Sequence, residues 1–240
     1  LEYRDYDSAG IALVAGGALV VREAAGQRTH LERATSGDVP RGTLGIGHTR
    51  WATHGAPTTV NAHPHTDQSG RIALIHNGII ENAGSIKKLL VQRGHTFKSE
   101  TDTEVLAHLV GEHYTGKLAE AVAAALREVE GAYGIAVISA DEPDVLVAAR
   151  QGSPLLVGVG DQEWFVASDA SAILSHTRSV VYLDDGEMAV LTREGYSVRD
   201  LALSRISKPV DQIDWDLATI ERGGYDHFML KEIFEQPETI

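Results

Sequence analysis

Six short apolar segments in the second half of the chain decide its fold class: YGIAVIS (133–139), VLVAAR (145–150), PLLVGVG (154–160), WFVAS (164–168), VVYL (180–183) and EMAVLT (187–192). Each segment has the length of a buried strand, and breaks rich in glycine or aspartate separate it from the next. This close spacing favours antiparallel hairpins that stack as sheets.

The first half of the chain adds further strands and three helices. Residues 11–14 and 18–21 flank Gly16-Gly17 as a hairpin would, and RIALIH (71–76) has the pattern of a buried strand. Helical spacing of apolar residues predicts one helix between a cap at Asn82 and a stop at Gly94. A second helix should begin at the capping box of Thr101, and a third should run over 118–129. We therefore predict an α+β fold in one domain, with stacked antiparallel sheets and helices outside them.

The composition excludes several classes of protein. A net charge of −13 would repel nucleic acid and anionic lipid, so we expect neither as a partner. No apolar run approaches the length of a membrane span, and 43% apolar with 23% charged residues is typical of a soluble globular protein. The chain contains no cysteine, so a disulfide framework and thiol chemistry from these 240 residues are excluded.

The stretch GHTRWATHG (47–55) places Arg50 beside the aromatic ring of Trp51. Arginine can clamp a substrate carboxylate with two parallel hydrogen bonds, which lysine does poorly. Alternatively, Arg50 is a structural ion-pair partner and Trp51 a core residue. The residues by themselves do not separate these two interpretations.

Asn77 and Gly78 follow the apolar strand pattern of 71–76 in HNGIIEN (76–82). The Asn77 side-chain amide and the Gly78 backbone N–H are two donors that could converge as an oxyanion hole. Asn-Gly is also the strongest short signal for a type I′ turn. Taken alone, the dipeptide favours the turn.

Asp102, in SETDTE (99–104), falls in the first turn of a predicted helix. Two interpretations are open: the helix dipole favours a carboxylate at this position, or Asp102 binds the ammonium group of a substrate. His63 and His65 of NAHPH (61–65) have a spacing that invites a metal site, but Pro64 disfavours a central strand and no carboxylate stands at a familiar ligand spacing. We predict hydrogen-bonded structural histidines and no metal.

No nucleophile elbow and no phosphate-binding loop occur in the sequence. Gly-x-Ser-x-Gly and the glycine-rich phosphate motifs are absent. The chain thus has groups that could hold an amino acid and stabilise an oxyanion, but it lacks an attacking atom.

Seven motifs together resemble a known family: YRDYDSAG (3–10), GHTRWATHG, NAHPH, HNGIIEN, SETDTE, GAYG (131–134) and KEIFEQP (231–237). They are similar to the N-terminal glutaminase domain of the glucosamine-6-phosphate synthase family (glutamine–fructose-6-phosphate aminotransferase, isomerizing). These are class II glutamine amidotransferases of the N-terminal-nucleophile hydrolase superfamily. The resemblance covers nearly the whole chain and implies a four-layer αββα sandwich of two antiparallel sheets.

The resemblance also implies a role for each matching residue. Asn77 and Gly78 match the oxyanion hole, Arg50 the clamp for the glutamine α-carboxylate, and Asp102 the partner of the α-ammonium group. Thr53 and His54 match the rest of the substrate loop, Trp51 the gate towards the ammonia channel, and Arg4 an arginine that supports the catalytic end. No cofactor is implied.

Two departures from the family are visible. The family's opening Cys-Gly-Ile-Val-Gly strand, whose cysteine attacks glutamine and whose α-amino group is the general base, and the helix after it are absent. Asp5 stands where the family has a glycine. We therefore expect residues 1–240 to be a glutaminase domain truncated at its N-terminus, without the sugar isomerase domain, and inactive as written.

The leading functional hypothesis is hydrolysis of L-glutamine to glutamate and ammonia, for transfer to fructose 6-phosphate in a cytoplasmic enzyme. The product would feed UDP-N-acetylglucosamine and, in bacteria, peptidoglycan precursors. The expected partners are L-glutamine, the sugar isomerase domain of the same polypeptide and, in the full enzyme, a second copy. The alternatives are another class II amidotransferase and a non-catalytic module in which Arg50 and Asp102 sense glutamine.

Overall fold

A computed structural model describes residues 7–26, 28–35, 41–51, 55–214, 225 and 228–239. The strands are β1 (Ser8–Ala15), β2 (Ala18–Ala25), β3 (Leu44–Arg50), β4 (His65–Thr66), β5 (Ile72–Ile80), β6 (Gly131–Ser139), β7 (Glu142–Gln151), β8 (Leu156–Val159), β9 (Trp164–Ala167), β10 (Ser179–Tyr182), β11 (Glu187–Thr192), β12 (Gly195–Asp200), β13 (Arg205–Ile206) and β14 (Asp211–Gln212). The helices are α1 (Arg28–Thr35), α2 (Ala83–Gln92), α3 (Asp102–His113), α4 (Leu118–Leu126) and α5 (Phe228–Thr239).

A seven-stranded antiparallel sheet forms the centre of the fold, in the order β13-β12-β11-β7-β6-β5-β4. Successive side chains along each strand point to opposite faces of the sheet, and both faces are apolar. On β5, Ile72 and Leu74 face one side, whereas Ala73 and Ile75 face the other. The sheet is therefore buried on both faces.

Helices α2, α3 and α4 cover the first face. Buried side chains of all three helices, among them Leu90, Leu106 and Val122, join those of β5, β6 and β7 in one cluster. Residues Asp102 to Val110 of α3 are all buried, because α3 packs between its neighbouring helices and β5. The helix that carries Asp102 is thus held firmly against the sheet.

Two smaller antiparallel sheets cover the second face. They are β2-β1-β3 and β14-β10-β8-β9, and Ala12, Ile46 and Val157 from their strands pack against the central sheet. Helix α1 contacts β2 and β1, adding a helix to this side of the molecule. The predicted α+β sandwich of antiparallel sheets between helices is confirmed.

The predicted turn at Asn77-Gly78 is wrong. Strand β5 continues through both residues to Ile80, with Asn77 opposite Gly134 and Gly78 opposite Tyr133 on β6. Long-range pairing with β6 overrides the local turn preference of the dipeptide.

Smaller differences lie at the ends of elements. The Asn82 side chain does not cap α2; it donates to Glu128 O at 2.8 Å and accepts from Glu130 N at 3.1 Å. Beyond Tyr196, where the apolar pattern weakens, β12 to β14 still pair with the sheets. Among the described helices, none has the length and apolar character needed to cross a membrane.

Candidate active site

A cavity of about 800 Å³ lies between the smaller sheets and the central sheet. Its walls include residues 47–51 at the end of β3, 75–78 on β5, 101–103 at the start of α3, 134–136 on β6, 153–155 before β8, and 166–169 at the end of β9. In the described part of the chain, β3 is paired with β1 alone and β9 with β8 alone. The cavity therefore opens between the edges of two sheets.

Arg50 and Asp102 bring opposite charges to this cavity. Arg50 ends β3 with 3% of its surface exposed, and its Nη2 donates to Gly55 O at 3.4 Å. Asp102 begins α3, is 8% exposed, and accepts a hydrogen bond from Ile80 N at 2.9 Å through Oδ2. Burial lowers the pKa of Arg50, while the carboxylate of Asp102 acts in the opposite direction.

Local structure fixes Asp102 at this position. The preceding residue, Thr101, is the cap of α3, and its Oγ1 accepts from Glu104 N at 3.2 Å. Glu104 does not complete the expected capping box; its carboxylate accepts from Lys98 N and Ser99 N instead. Both interactions tie the loop before α3 to the helix start, so the Asp102 carboxylate is held beside the cavity.

Asn77 and Gly78 lie side by side on the cavity wall and are exposed to it. Gly78 has φ +133°, and a Cβ there would lie 2.1 Å from the backbone oxygen of Ala132. Only glycine fits at this point of β5. Asn77 Oδ1 lies 2.8 Å from Nε2 of His48, on the other wall.

A row of three histidines connects these walls, and His63 and His65 are buried whereas His48 is half-buried. The rings of His48 and His63 have centroids 4.5 Å apart, and those of His63 and His65 are 5.2 Å apart. Burial lowers the pKa of His48 and of His65 to about 4, and that of His63 well below its usual value. These rings are therefore neutral at neutral pH, as structural or hydrogen-bonding groups would be.

The described residues contain no group of three or more histidine, aspartate or glutamate side chains placed to hold a metal ion. His65 Nε2 bonds instead to Thr101 Oγ1 at 2.9 Å, and His76 Nδ1 lies 3.1 Å from Thr103 Oγ1. His65 and His76 thus bond to hydroxyl groups of the segment that begins α3.

The structure brings together five of the eight residues that the sequence singles out. Arg50, Trp51, Asn77, Gly78 and Asp102 all line the one cavity, and Trp51 is 69% exposed at its rim. Arg4, Thr53 and His54 lie outside the described residues, as does Asp5.

Sequence reasoning missed the contact of His48 with Asn77 and the far wall of the cavity. That wall includes Ser153, Ser168 and Asp169, which lie on or after strands distant in the sequence. None of these residues stands in a motif with a chemical signature, so only their position in the fold reveals them.

Chemically, the cavity suits a small zwitterion that carries a carbonyl group. A buried cation and a buried anion match an α-carboxylate and an α-ammonium group. Asn77 and Gly78 lie next to each other in the same cavity. The side-chain amide of the first and the backbone N–H of the second can supply hydrogen-bond donors, which match a carbonyl oxygen on which negative charge develops.

Known proteins resemble this chain in sequence and in fold. Residues 48–175 match the family model of the glutamine amidotransferase domain. The chain is 53% identical over 247 residues to a glutamine–fructose-6-phosphate aminotransferase (isomerizing) of Chlorobaculum tepidum, and 53% identical over 237 residues to an enzyme of the same name from Thermus thermophilus. These alignments cover 100% and 99% of this chain but 40% and 39% of the relatives.

Among solved structures, glutamine phosphoribosylpyrophosphate amidotransferase from B. subtilis superimposes with a TM-score of 0.70 at 27% identity, over 85% of this chain and 45% of that one. This neighbour has the N-terminal-nucleophile hydrolase fold that the resemblance implies. The family match spans more than half of the chain and includes every described residue of the predicted site. The chain therefore belongs to the glutamine amidotransferase domain family.

Proposed function

We propose that this domain binds L-glutamine and, with a cysteine nucleophile, hydrolyses the side-chain amide to glutamate and ammonia. The observation that carries the proposal is the placement of buried Arg50 and Asp102 in the same cavity as Asn77 and Gly78. Arg50 would bind the α-carboxylate and Asp102 the α-ammonium group, which leaves the side-chain amide at Asn77 and Gly78.

The proposed reaction passes through a covalent intermediate. A thiol sulfur bonds to the amide carbon while its proton passes to the α-amino group of the same cysteine. Asn77 Nδ2 and Gly78 N donate to the oxyanion, each contributing about 3 kcal/mol to the barrier reduction. The C–N bond then breaks, ammonia leaves with the proton, and water hydrolyses the thioester to glutamate.

The nucleophile must come from outside these 240 residues, which contain no cysteine. We propose that a strand of the Cys-Gly-Ile-Val-Gly type inserts between β3 and β9. Both strands have residues at the cavity, and an inserted strand would pair its backbone groups with both and join the two smaller sheets into one. Its first residue would then lie at the end of the cavity that holds Asn77.

The first test compares the 240-residue chain with the same chain extended by the family's opening strand and helix. We expect glutamate release from the extended chain and none from the 240 residues alone or from a Cys→Ala version of the extended chain. Hydrogen exchange should show new protection on β3 and β9, with β13 as the control edge. Equal glutamate release with and without the cysteine would contradict the proposed nucleophile.

The second test asks whether Asp102 binds the α-ammonium group of glutamine and Arg50 its α-carboxylate. Asp102→Asn keeps the shape of the side chain but removes its charge, so affinity for L-glutamine should fall about 10- to 100-fold. Affinity for 4-carbamoylbutanoate, which lacks the amino group, should stay within about threefold of the original value.

Arg50→Gln is the matched variant and should weaken binding of both ligands, because both carry the carboxylate. Titration calorimetry measures each affinity. An Asp102→Asn chain that lost both ligands equally would contradict the assignment.

The relatives suggest the larger context. The chain spans about two-fifths of their length, which fits a domain that supplies ammonia to a following sugar isomerase domain acting on fructose 6-phosphate. We propose this arrangement, with a homodimeric whole enzyme, for the protein to which residues 1–240 belong.

A non-catalytic glutamine-binding module is the second candidate, favoured by the absence of cysteine from the sequence. Such a module would bind L-glutamine through Arg50 and Asp102. An extended chain that binds glutamine without releasing glutamate would support it over the enzyme.

A further inference from the structure

His48 and Asn77 make a hydrogen bond across the cavity. His48 belongs to β3 in one of the smaller sheets, whereas Asn77 belongs to β5 of the central sheet. His48 Nε2 lies 2.8 Å from Asn77 Oδ1, and both residues line the cavity. The contact therefore joins the side chain of a proposed oxyanion donor to the opposite wall.

The His48 ring is held in place by its neighbours. It packs on His63, whose ring contacts that of His65, and His65 Nε2 bonds to Thr101 Oγ1 at 2.9 Å. Thr101 in turn caps the helix that begins with Asp102. The position of His48 is thus coupled to the start of α3.

The surroundings also decide which nitrogen of His48 carries the proton. Its Nδ1 is buried and has no hydrogen-bond partner among the described residues. A buried N–H without an acceptor costs about 1–3 kcal/mol, so a single proton is favoured at Nε2, where a partner lies. Because the pKa of His48 is lowered to about 4, chiefly by burial, the ring carries only that one proton at neutral pH.

The proton position fixes the orientation of the Asn77 amide. An Nε2–H must face an acceptor, so the Asn77 oxygen points to His48 and its Nδ2 points away from His48. The reversed amide would present a carbonyl oxygen to the substrate, and this oxygen would repel a developing oxyanion.

We propose that His48 is a positioning residue of the glutaminase site, which holds Asn77 Oδ1 so that Asn77 Nδ2 is free to donate to the substrate. The inference rests on the proposed function, since it assumes that Asn77 stabilises the oxyanion. His48 itself touches no reacting atom.

Three variants of the extended, cysteine-bearing chain test the inference. His48→Gln keeps an N–H near the position of Nε2 and should retain kcat within about tenfold. His48→Glu offers only acceptors, should reverse the Asn77 amide, and should lower kcat about 10²- to 10³-fold with KM changed by less than about threefold. His113→Gln, a surface histidine paired with Glu128, is the matched control and should leave both constants unchanged.

A double variant separates positioning from a general structural role. In an Asn77→Ala background, His48→Glu should cause no further loss of kcat, because its effect acts through Asn77. Equal losses for His48→Gln and His48→Glu, or a full additional loss in the Asn77→Ala background, would overturn the inference. An inactive parent chain would instead refute the proposed function, and the positioning role with it.

Nitrogen NMR of the 240-residue chain provides a readout that needs neither activity nor a variant. The imidazole of His48 should show a protonated Nε2 and an unprotonated Nδ1. The opposite tautomer would overturn the inference even if every variant failed to fold.

Discussion

At the scale of the residue, Gly78 shows how one backbone position governs the site. Its φ is +133°, which side chains rarely allow. A Cβ at this position would lie 2.1 Å from Ala132 O, so there is no room for a side chain. We expect Gly78→Ala to destabilise the chain by about 2–4 kcal/mol, because the backbone of β5 or β6 must shift.

Gly84→Ala is the matched control for this substitution. Gly84 lies in α2 with open space around it, so alanine there should raise the stability by about 0.5–1 kcal/mol. Urea unfolding of both variants measures the difference. A Gly78→Ala chain as stable as the original would show that β5 does not need the observed backbone conformation.

At the scale of the element, the start of α3 combines a helix cap with the cavity wall. Thr101 Oγ1 accepts from Glu104 N and also bonds to His65 Nε2 and Ser99 Oγ, both at 2.9 Å. Thr101→Val keeps the shape but loses all three interactions, so we expect a loss of about 1–2 kcal/mol and weaker binding of glutamine by Asp102.

Thr101→Ser retains the hydroxyl, so the free energy of unfolding and the affinity for glutamine should both stay near their original values. Urea unfolding and titration calorimetry measure the two effects. If serine and valine destabilise the chain equally, the methyl group rather than the hydroxyl holds this helix start.

At the scale of the whole molecule, buried titratable groups make stability depend on pH. His48, His63 and His65 have lowered pKa values in the folded chain, so the unfolded chain binds more protons as the pH falls below about 6.5. Their contribution to stability is present above that pH and is lost towards pH 4. Glu23 acts in the opposite direction, because burial raises its pKa to about 7.

Burial also lowers the pKa of His108, so four histidines oppose the one glutamate. The unfolded chain then binds at most three more protons than the folded chain between pH 6.5 and 4.5. As the pH is lowered through this window, the free energy of unfolding should fall by at most ~4 kcal/mol per pH unit. Urea unfolding from pH 7 to 5 measures the slope. Glu23→Gln removes the opposing group and should steepen it; an unchanged or shallower slope would contradict this balance.

Elements whose signals are local could be predicted from the amino-acid sequence. Apolar segments of strand length between short polar breaks predicted the strands from 133 to 192, and Thr101 with its cap pattern predicted the start of α3. Motif resemblance singled out Arg50, Trp51, Asn77, Gly78 and Asp102, because family motifs are readable without coordinates.

Features that depend on contacts between distant residues became visible only in the folded chain. Asn77-Gly78 has the local preference of a turn, yet pairing with β6 makes it part of a strand. The contact of His48 with Asn77 and the charges of Arg50 and Asp102 at one cavity join separate elements. No local pattern encodes such contacts, because packing of the two β layers, rather than neighbouring residues, sets them.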